Sequence, residues 1–170
     1  KILSNFIKKT CEKISSLLHT SNETLILSGE GILGLEAAIA SMTEPGDKVL
    51  VLDNGIYGKG FADFVSMYGG RPELYTRDYQ NTLDVKELEA FLADNHDYKY
   101  ATVVHGDTPS GMLNDVAAIC PLLKKYGILT VVDSVSASFG EPLNIDACRS
   151  ISCAADHRRW YLHLRDLPLL

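Results

Sequence analysis

The sequence predicts an α/β protein, three-layered α/β/α, with helices on both faces of a mainly parallel sheet. Three observations carry this. Val49-Leu50-Val51-Leu52 and Ile128-Leu129-Thr130-Val131-Val132 are short, near-continuous apolar runs, the mark of strands buried on both faces. Segments with helical apolar spacing separate such runs. Polar, glycine-rich stretches then follow strand after strand, at Ser28–Gly31, Asp53–Gly58, His105–Gly111 and Asp133–Ser136. Open α/β sheets bind ligands at those carboxyl ends, so four stretches converge on one edge.

Taken in order, residues 2–19 form an amphipathic helix with Ile2, Phe6, Ile7, Ile14, Leu17 and Leu18 as its apolar face. Thr24–Leu27 is a short strand that runs into the Ser28-Gly29-Glu30-Gly31 turn. Ile32–Met42 is a buried helix, stopped by Glu44-Pro45-Gly46-Asp47. Lys48–Asp53 is a strand, and Phe61–Tyr68 is a helix ended by Gly69-Gly70. Glu73–Thr76 is a strand. Asp84–Leu92 is a helix with Asp84 and Glu87 at capping-box spacing. Tyr100–His105 and Ile128–Asp133 are strands flanking a helix at Asp115–Tyr126. After Cys148 the rhythm stops.

Composition narrows the function. The chain has 170 residues, net charge −6, 46% hydrophobic and 22% charged residues. A mean hydropathy near zero fits a soluble globular chain of about one domain. A general nucleic-acid binder carries a basic face, which this acidic balance disfavours. No apolar run suits a membrane helix, and no signal peptide is visible. The first residue is Lys1 rather than Met, so residues are expected to precede it. Cys11, Cys120, Cys148 and Cys153 have no C-x-x-C spacing and read as reduced thiols of a cytoplasmic protein.

The glycine loop has more than one reading. Gly29-x-Gly31-x-x-Gly34 lies between a strand and a helix, with Asp53 closing the next strand. That is the dinucleotide pattern, with an acid for a ribose. Its physical content is broader: glycines let backbone approach an anion, and a helix N-terminus offers free N–H groups. A nicotinamide or flavin nucleotide, another phosphate-bearing ligand, and a tight packed turn all remain open. Asp133 and Val135 add a constraint. Two residues apart at a strand end, they can face one side. A carboxylate beside an apolar side chain suits a flat aromatic cation such as the pyridinium of pyridoxal phosphate, with Tyr57 able to stack on the other face.

The ordered series Ser28-Gly29-Glu30-Gly31, Leu35-Glu36-Ala37-Ala38, Glu44-Pro45-Gly46-Asp47 and Asn54-Gly55-Ile56-Tyr57-Gly58 resembles the class V pyridoxal-phosphate aminotransferases of fold type I. The alanine–glyoxylate and serine–pyruvate group is the nearest likeness. His105-Gly106-Asp107-Thr108-Pro109-Ser110-Gly111 and Val132-Asp133-Ser134-Val135-Ser136 are similar to its later loops, although Pro109 departs from the usual small hydroxyl residue. The resemblance spans residues 20–148. It implies part of a large cofactor-binding domain and pyridoxal 5'-phosphate as cofactor. Glu30, Gly31 and Ile32 would cradle its phosphate through backbone N–H groups. Tyr57 would stack on the ring, Thr108 would meet its polar substituents, Asp133 would hold the pyridine nitrogen protonated, and Val135 would pack beneath. His105 is assigned a structural role. The resemblance further implies transfer of an amino group from alanine or serine to glyoxylate or pyruvate, and a homodimer.

The family's Schiff-base lysine follows Gly-Ser-Gln, roughly 20 residues beyond the Val135 segment. No lysine follows Lys125, and Asp156-His157-Arg158-Arg159 stands in that place. Arginine stays protonated and cannot act as the amine nucleophile. Residues 1–148 are therefore expected to be a partial large domain, with no catalytic residue assigned, and 149–170 an anomalous tail from a shifted reading frame. Back-translated with allowed codons and read two bases on, the tail becomes Ile-Asp-Phe-Leu-Cys-Gly-Gly-Ser-Gln-Lys. The same frame continues Val-Val-Ser-Ala-Pro-Ala-Gly-Leu-Thr-Phe. Expectations follow: an inactive chain without the small C-terminal domain, and no native packing site for Trp160, Leu162 or the final Leu-Pro-Leu-Leu. The rival readings are an NAD-dependent oxidoreductase using Gly29, Gly31, Gly34 and Asp53, and a non-catalytic binding remnant.

Overall fold

The computed structural model describes residues 2–148, 151–156 and 159–163, with side chains described through residue 148. The chain runs α1 (Ile2–Leu17), β1 (Thr24–Leu27), α2 (Gly31–Met42), β2 (Lys48–Asp53), α3 (Ile56–Met67) and β3 (Arg71–Thr76). It continues α4 (Val85–Asp94), β4 (Tyr100–Val104), β5 (Gly106–Asp107), β6 (Met112–Leu113), α5 (Val116–Lys125), β7 (Leu129–Asp133) and α6 (Ile145–Cys148). β8 (Ile151–Asp156) and β9 (Arg159–His163) follow.

Seven strands form one sheet in the order β1-β9-β8-β7-β4-β2-β3. β2 pairs in parallel with β3 and β4, β4 with β7, and β7 with β8. β9 alone runs against its neighbours, β8 and β1. The expected cessation of regular elements after Cys148 is therefore corrected: the backbone of 151–156 and 159–163 completes the sheet. The packing of Trp160 and Leu162, and everything about 164–170, lie outside the described residues.

Side-chain alternation divides the core. Leu50, Leu52, Ala101, Val103 and Val132 face one layer with Leu88, Leu92, Ile119 and Leu123. Val49, Val51, Tyr100 and Val131 face the other with Ala38, Ile39, Phe61 and Val65. Residues i and i+1 of a strand point to opposite faces, so an all-apolar strand serves both layers. α4 starts where its capping signal lies: Asp84 accepts from the Lys86 and Glu87 N–H groups at 2.7 and 3.1 Å.

α1 departs from the amphipathic expectation. Only Ile14 is buried within it, with Leu18 just beyond, while Ile2, Phe6, Ile7 and Leu17 are exposed. The helix has no layer beneath its first half among the described residues. Its carboxyl end is tied instead: the Asp146 carboxylate accepts from Thr20 Oγ1 at 2.7 Å and from Ser21 N–H at 3.0 Å. Ile145 N–H also donates to Leu18 O at 3.2 Å.

Candidate functional site

A cavity of about 480 Å³ opens at the carboxyl ends of the parallel strands. Gly31, Ile32, Tyr57, Thr108, Asp133 and Val135 line it, six of the seven residues singled out from sequence. The seventh, Glu30, is the N-cap residue of α2 and is exposed at the rim. The volume lies in the range of small-molecule sites.

Each wall has a local cause. α2 begins at Gly31 because Glu30 is extended, and Glu30 makes no side-chain cap. Leu33 N–H donates to Glu30 O at 3.0 Å, and the Gly31 and Ile32 N–H groups lie at the positive end of the helix dipole with no side-chain cap from Glu30. α3 supplies Ile56, Tyr57, Gly60, Phe61, Asp63 and Phe64. It starts five residues before the helix expected at Phe61, and the earlier start is what carries Tyr57 to the cavity. Gly58 permits this: a Cβ there would stand 2.8 Å from the Leu52 carbonyl oxygen of β2. Phe61 and Phe64 were not singled out for the site, yet they recur one helical turn beyond Tyr57 and Gly60.

The loops after β4 and β7 are stitched together. The Thr108 and Ser136 hydroxyls share a short hydrogen bond. His105 donates its N–H to Asp133 O at 2.7 Å, and its Nδ1 lies 3.0 Å from Ser134 Oγ. Burial pushes its imidazole below the usual value, which keeps it neutral and fits a structural part. Beneath them Asn114 Nδ2 donates to Val104 O at 2.8 Å, and Asn114 Oδ1 accepts from Asn54 Nδ2 at 3.0 Å. Ser136, Gly106 and Asn114 were missed as contributors. Ser136 belonged to a polar strand end, which was the available signal.

Asp133 is the chemical centre. It is 6% exposed, and Val135 N–H donates to its Oδ1 at 2.9 Å. Among the described residues that is the carboxylate's one hydrogen bond. Burial pushes its pKa up to about 6, opposed by the Val135 N–H and reinforced by the Asp107 charge. A buried acid with spare acceptor capacity, at the floor of a largely apolar cavity, suits a flat ligand presenting a cationic N–H. The α2 N-terminus, whose Gly31 and Ile32 line the same cavity, suits that ligand's phosphate. The residues present therefore fit pyridoxal phosphate. They would hold it through backbone N–H groups of Gly31 and Ile32, the Thr108 hydroxyl and the Asp133 carboxylate, with Tyr57 and Val135 beside the ring.

The dinucleotide reading does not survive the topology. β1, which carries the glycine loop, lies at the far end of the sheet order from β2, which carries Asp53. A dinucleotide fingerprint needs these strands to be neighbours. Asp53 is also engaged, accepting from Thr76 Oγ1 at 3.0 Å and Tyr79 OH at 2.7 Å.

The family model "Aminotransferase class-V" matches residues 3–155. Pyridoxamine–pyruvate transaminase of Mesorhizobium japonicum is 34% identical over 143 residues, 84% of this chain and 36% of that protein. Alanine–glyoxylate aminotransferase of Callithrix jacchus is 37% identical over 136 residues, 79% of this chain and 33% of that protein. The crystal structure of pyridoxamine–pyruvate aminotransferase from Mesorhizobium loti superposes with TM-score 0.86 at 30% identity, covering 92% of this chain and 42% of that one. The chain thus spans little more than a third of the curated relatives' length.

Proposed function

From a chain that belongs to the class V aminotransferases, we propose a cofactor-binding segment of an enzyme that moves an amino group from a small amino acid to a small 2-oxo acid. The family's enzymes are pyridoxal-phosphate dependent. The observation that carries the reading is Asp133, buried and half-partnered, lining a cavity that the amino end of α2 also lines. Pyruvate or glyoxylate appears in the names of both relatives above, which supports such an oxo acid as acceptor. Alanine or serine is the proposed donor. The parent enzyme is proposed to be a cytoplasmic homodimer.

When bound, pyridoxal phosphate supplies an electron sink and a carrier for the amino group. Gly31 and Ile32 N–H groups bind and orient the phosphate. Ionised Asp133 holds a proton on the pyridine nitrogen, which keeps the ring electron-poor. Tyr57, Val135 and the phenylalanines of α3 exclude water from the ring faces. This chain carries no lysine at 126–170, and the family match stops at residue 155, just before Asp156-His157-Arg158-Arg159. We therefore propose that the chain binds the cofactor without completing the transfer, its tail from residue 149 arising from a shifted frame.

Equilibrium dialysis tests the binding. Saturable uptake of pyridoxal phosphate, competed by pyridoxine phosphate but not by NAD, is expected. Uptake of NAD with none of pyridoxal phosphate would sink the reading.

A further inference from the structure

Asp107 is a buried acid to which nothing above assigns a task. It closes β5 and is 3% exposed. Its Oδ2 accepts from the Ser110 hydroxyl at 2.6 Å and from Ser110 N–H at 3.2 Å, which closes the turn between β5 and β6. Its Oδ1 is shielded from solvent and has no hydrogen bond among the described residues. An acceptor left in that condition carries an uncompensated desolvation penalty, so its placement calls for a reason.

The reason lies across from it. A Cβ on Gly55 would stand 2.8 Å from both Cγ and Oδ1 of Asp107, so the carboxylate is pressed against the bare Cα of Gly55. Gly55 is the N-cap residue of α3 and offers no side-chain cap. The first-turn N–H groups of α3 have no intrahelical acceptors, so the acid lies at the positive end of the helix. On its other flank Asp107 is joined in sequence to Gly106 and Thr108, both on the cavity wall. Its charge also reaches Asp133, where it adds to the effect of burial.

We propose that Asp107 is a positioning residue for the cofactor site. Its carboxylate, seated against Gly55, fixes the amino end of α3, and with it Tyr57, relative to the wall that carries Thr108 and Asp133. This rests on the cofactor reading above. Asp107 acts through Tyr57 and does not touch the ligand.

A double-mutant cycle on the full chain tests it, read as affinity for pyridoxal phosphate in equilibrium dialysis. Asp107→Asn keeps the shape and removes the charge; Tyr57→Ala removes the ring being positioned. Asp107→Asn is expected to weaken binding about tenfold in the parent chain and less than about twofold in the Tyr57→Ala background. Equal losses in both backgrounds, or none in the parent, overturn the proposal. Gly55→Ala drives a methyl group into the carboxylate and should show the same Tyr57-dependent loss. It carries the test if circular dichroism shows Asp107→Asn unfolded, and normal binding by folded Gly55→Ala overturns the proposal too. No uptake by the parent chain overturns the cofactor reading and this proposal with it. Uptake that is indifferent to Asp107 overturns this one alone.

Discussion

Asp133 sets a binding requirement against a folding cost. Its pKa is about 6 in the folded chain against an ordinary 3.8, so the unfolded chain releases this proton more readily than the folded one. The stabilising contribution of the neutral acid is full below pH 3.8 and is lost as pH rises to about 6. Above that the ligand-free chain holds a buried charge. Asp133→Asn, which never ionises, should therefore raise the ligand-free chain's stability at neutral pH by about 1–3 kcal/mol, seen in urea melts. The same change should remove most pyridoxal phosphate uptake, because an amide cannot neutralise a pyridinium. Uptake by the parent chain should also rise with pH through about 6, the range where Asp133 becomes an anion. A destabilised Asp133→Asn that still binds tightly would contradict this account.

At the scale of the element, α3 is the part whose placement decides the site. Gly58 lets its first turn lie on β2, against the Leu52 carbonyl. Gly58→Ala must push the helix out, at a cost of about 1–3 kcal/mol in a chemical melt, and should reduce cofactor uptake by shifting Tyr57. Unchanged stability and uptake would mean that the helix has slack there. The same element shows how far the sequence could be read. The Phe61–Tyr68 segment and the Gly69-Gly70 stop marked its body and end, but Gly55-Ile56-Tyr57-Gly58 read as a turn because glycines dominate it. Contact with β2, which no local signal reports, makes it helical. β5 and β6 escaped notice because two-residue strands have no period to detect. Asp133, Val135 and Tyr57 were legible because each ends a strand or follows one, where chemistry-bearing side chains stand out against apolar runs. Asp107 lay within the loop noticed for its likeness to the family, yet its seat against Gly55 joins residues far apart in the chain, which spacing alone cannot reveal.

For the molecule as a whole, the alternation of strand and helix predicted a parallel sheet, and the sheet is parallel except at β9. Strand order was not legible, since it depends on which crossovers pass over which face. The segment after Cys148 supplies β8 and β9 as backbone and holds no lysine, which is the ground of the proposed inactivity. Borohydride treatment of the cofactor-loaded chain is expected to leave no lysine bearing pyridoxyl phosphate in a peptide map. A single modified lysine at the cavity would overturn the proposed inactivity. The source DNA across residues 145–170 gives the companion result: a frame two bases on should encode Gly-Ser-Gln-Lys, and its absence would make the tail native.

The pairing of β1 with β9, from Thr24 opposite His163 to Leu27 opposite Trp160, also bears on synthesis. β1 has no sheet neighbour among the described residues until β9 has been made. Until then Thr24–Leu27 is an edge of backbone donors and acceptors without a sheet partner among the described residues, open to mispairing with other nascent chains. Ribosome-bound intermediates ending before β9 should therefore be the protease-sensitive, chaperone-dependent ones, and emergence of β9 should be the step that pairs β1.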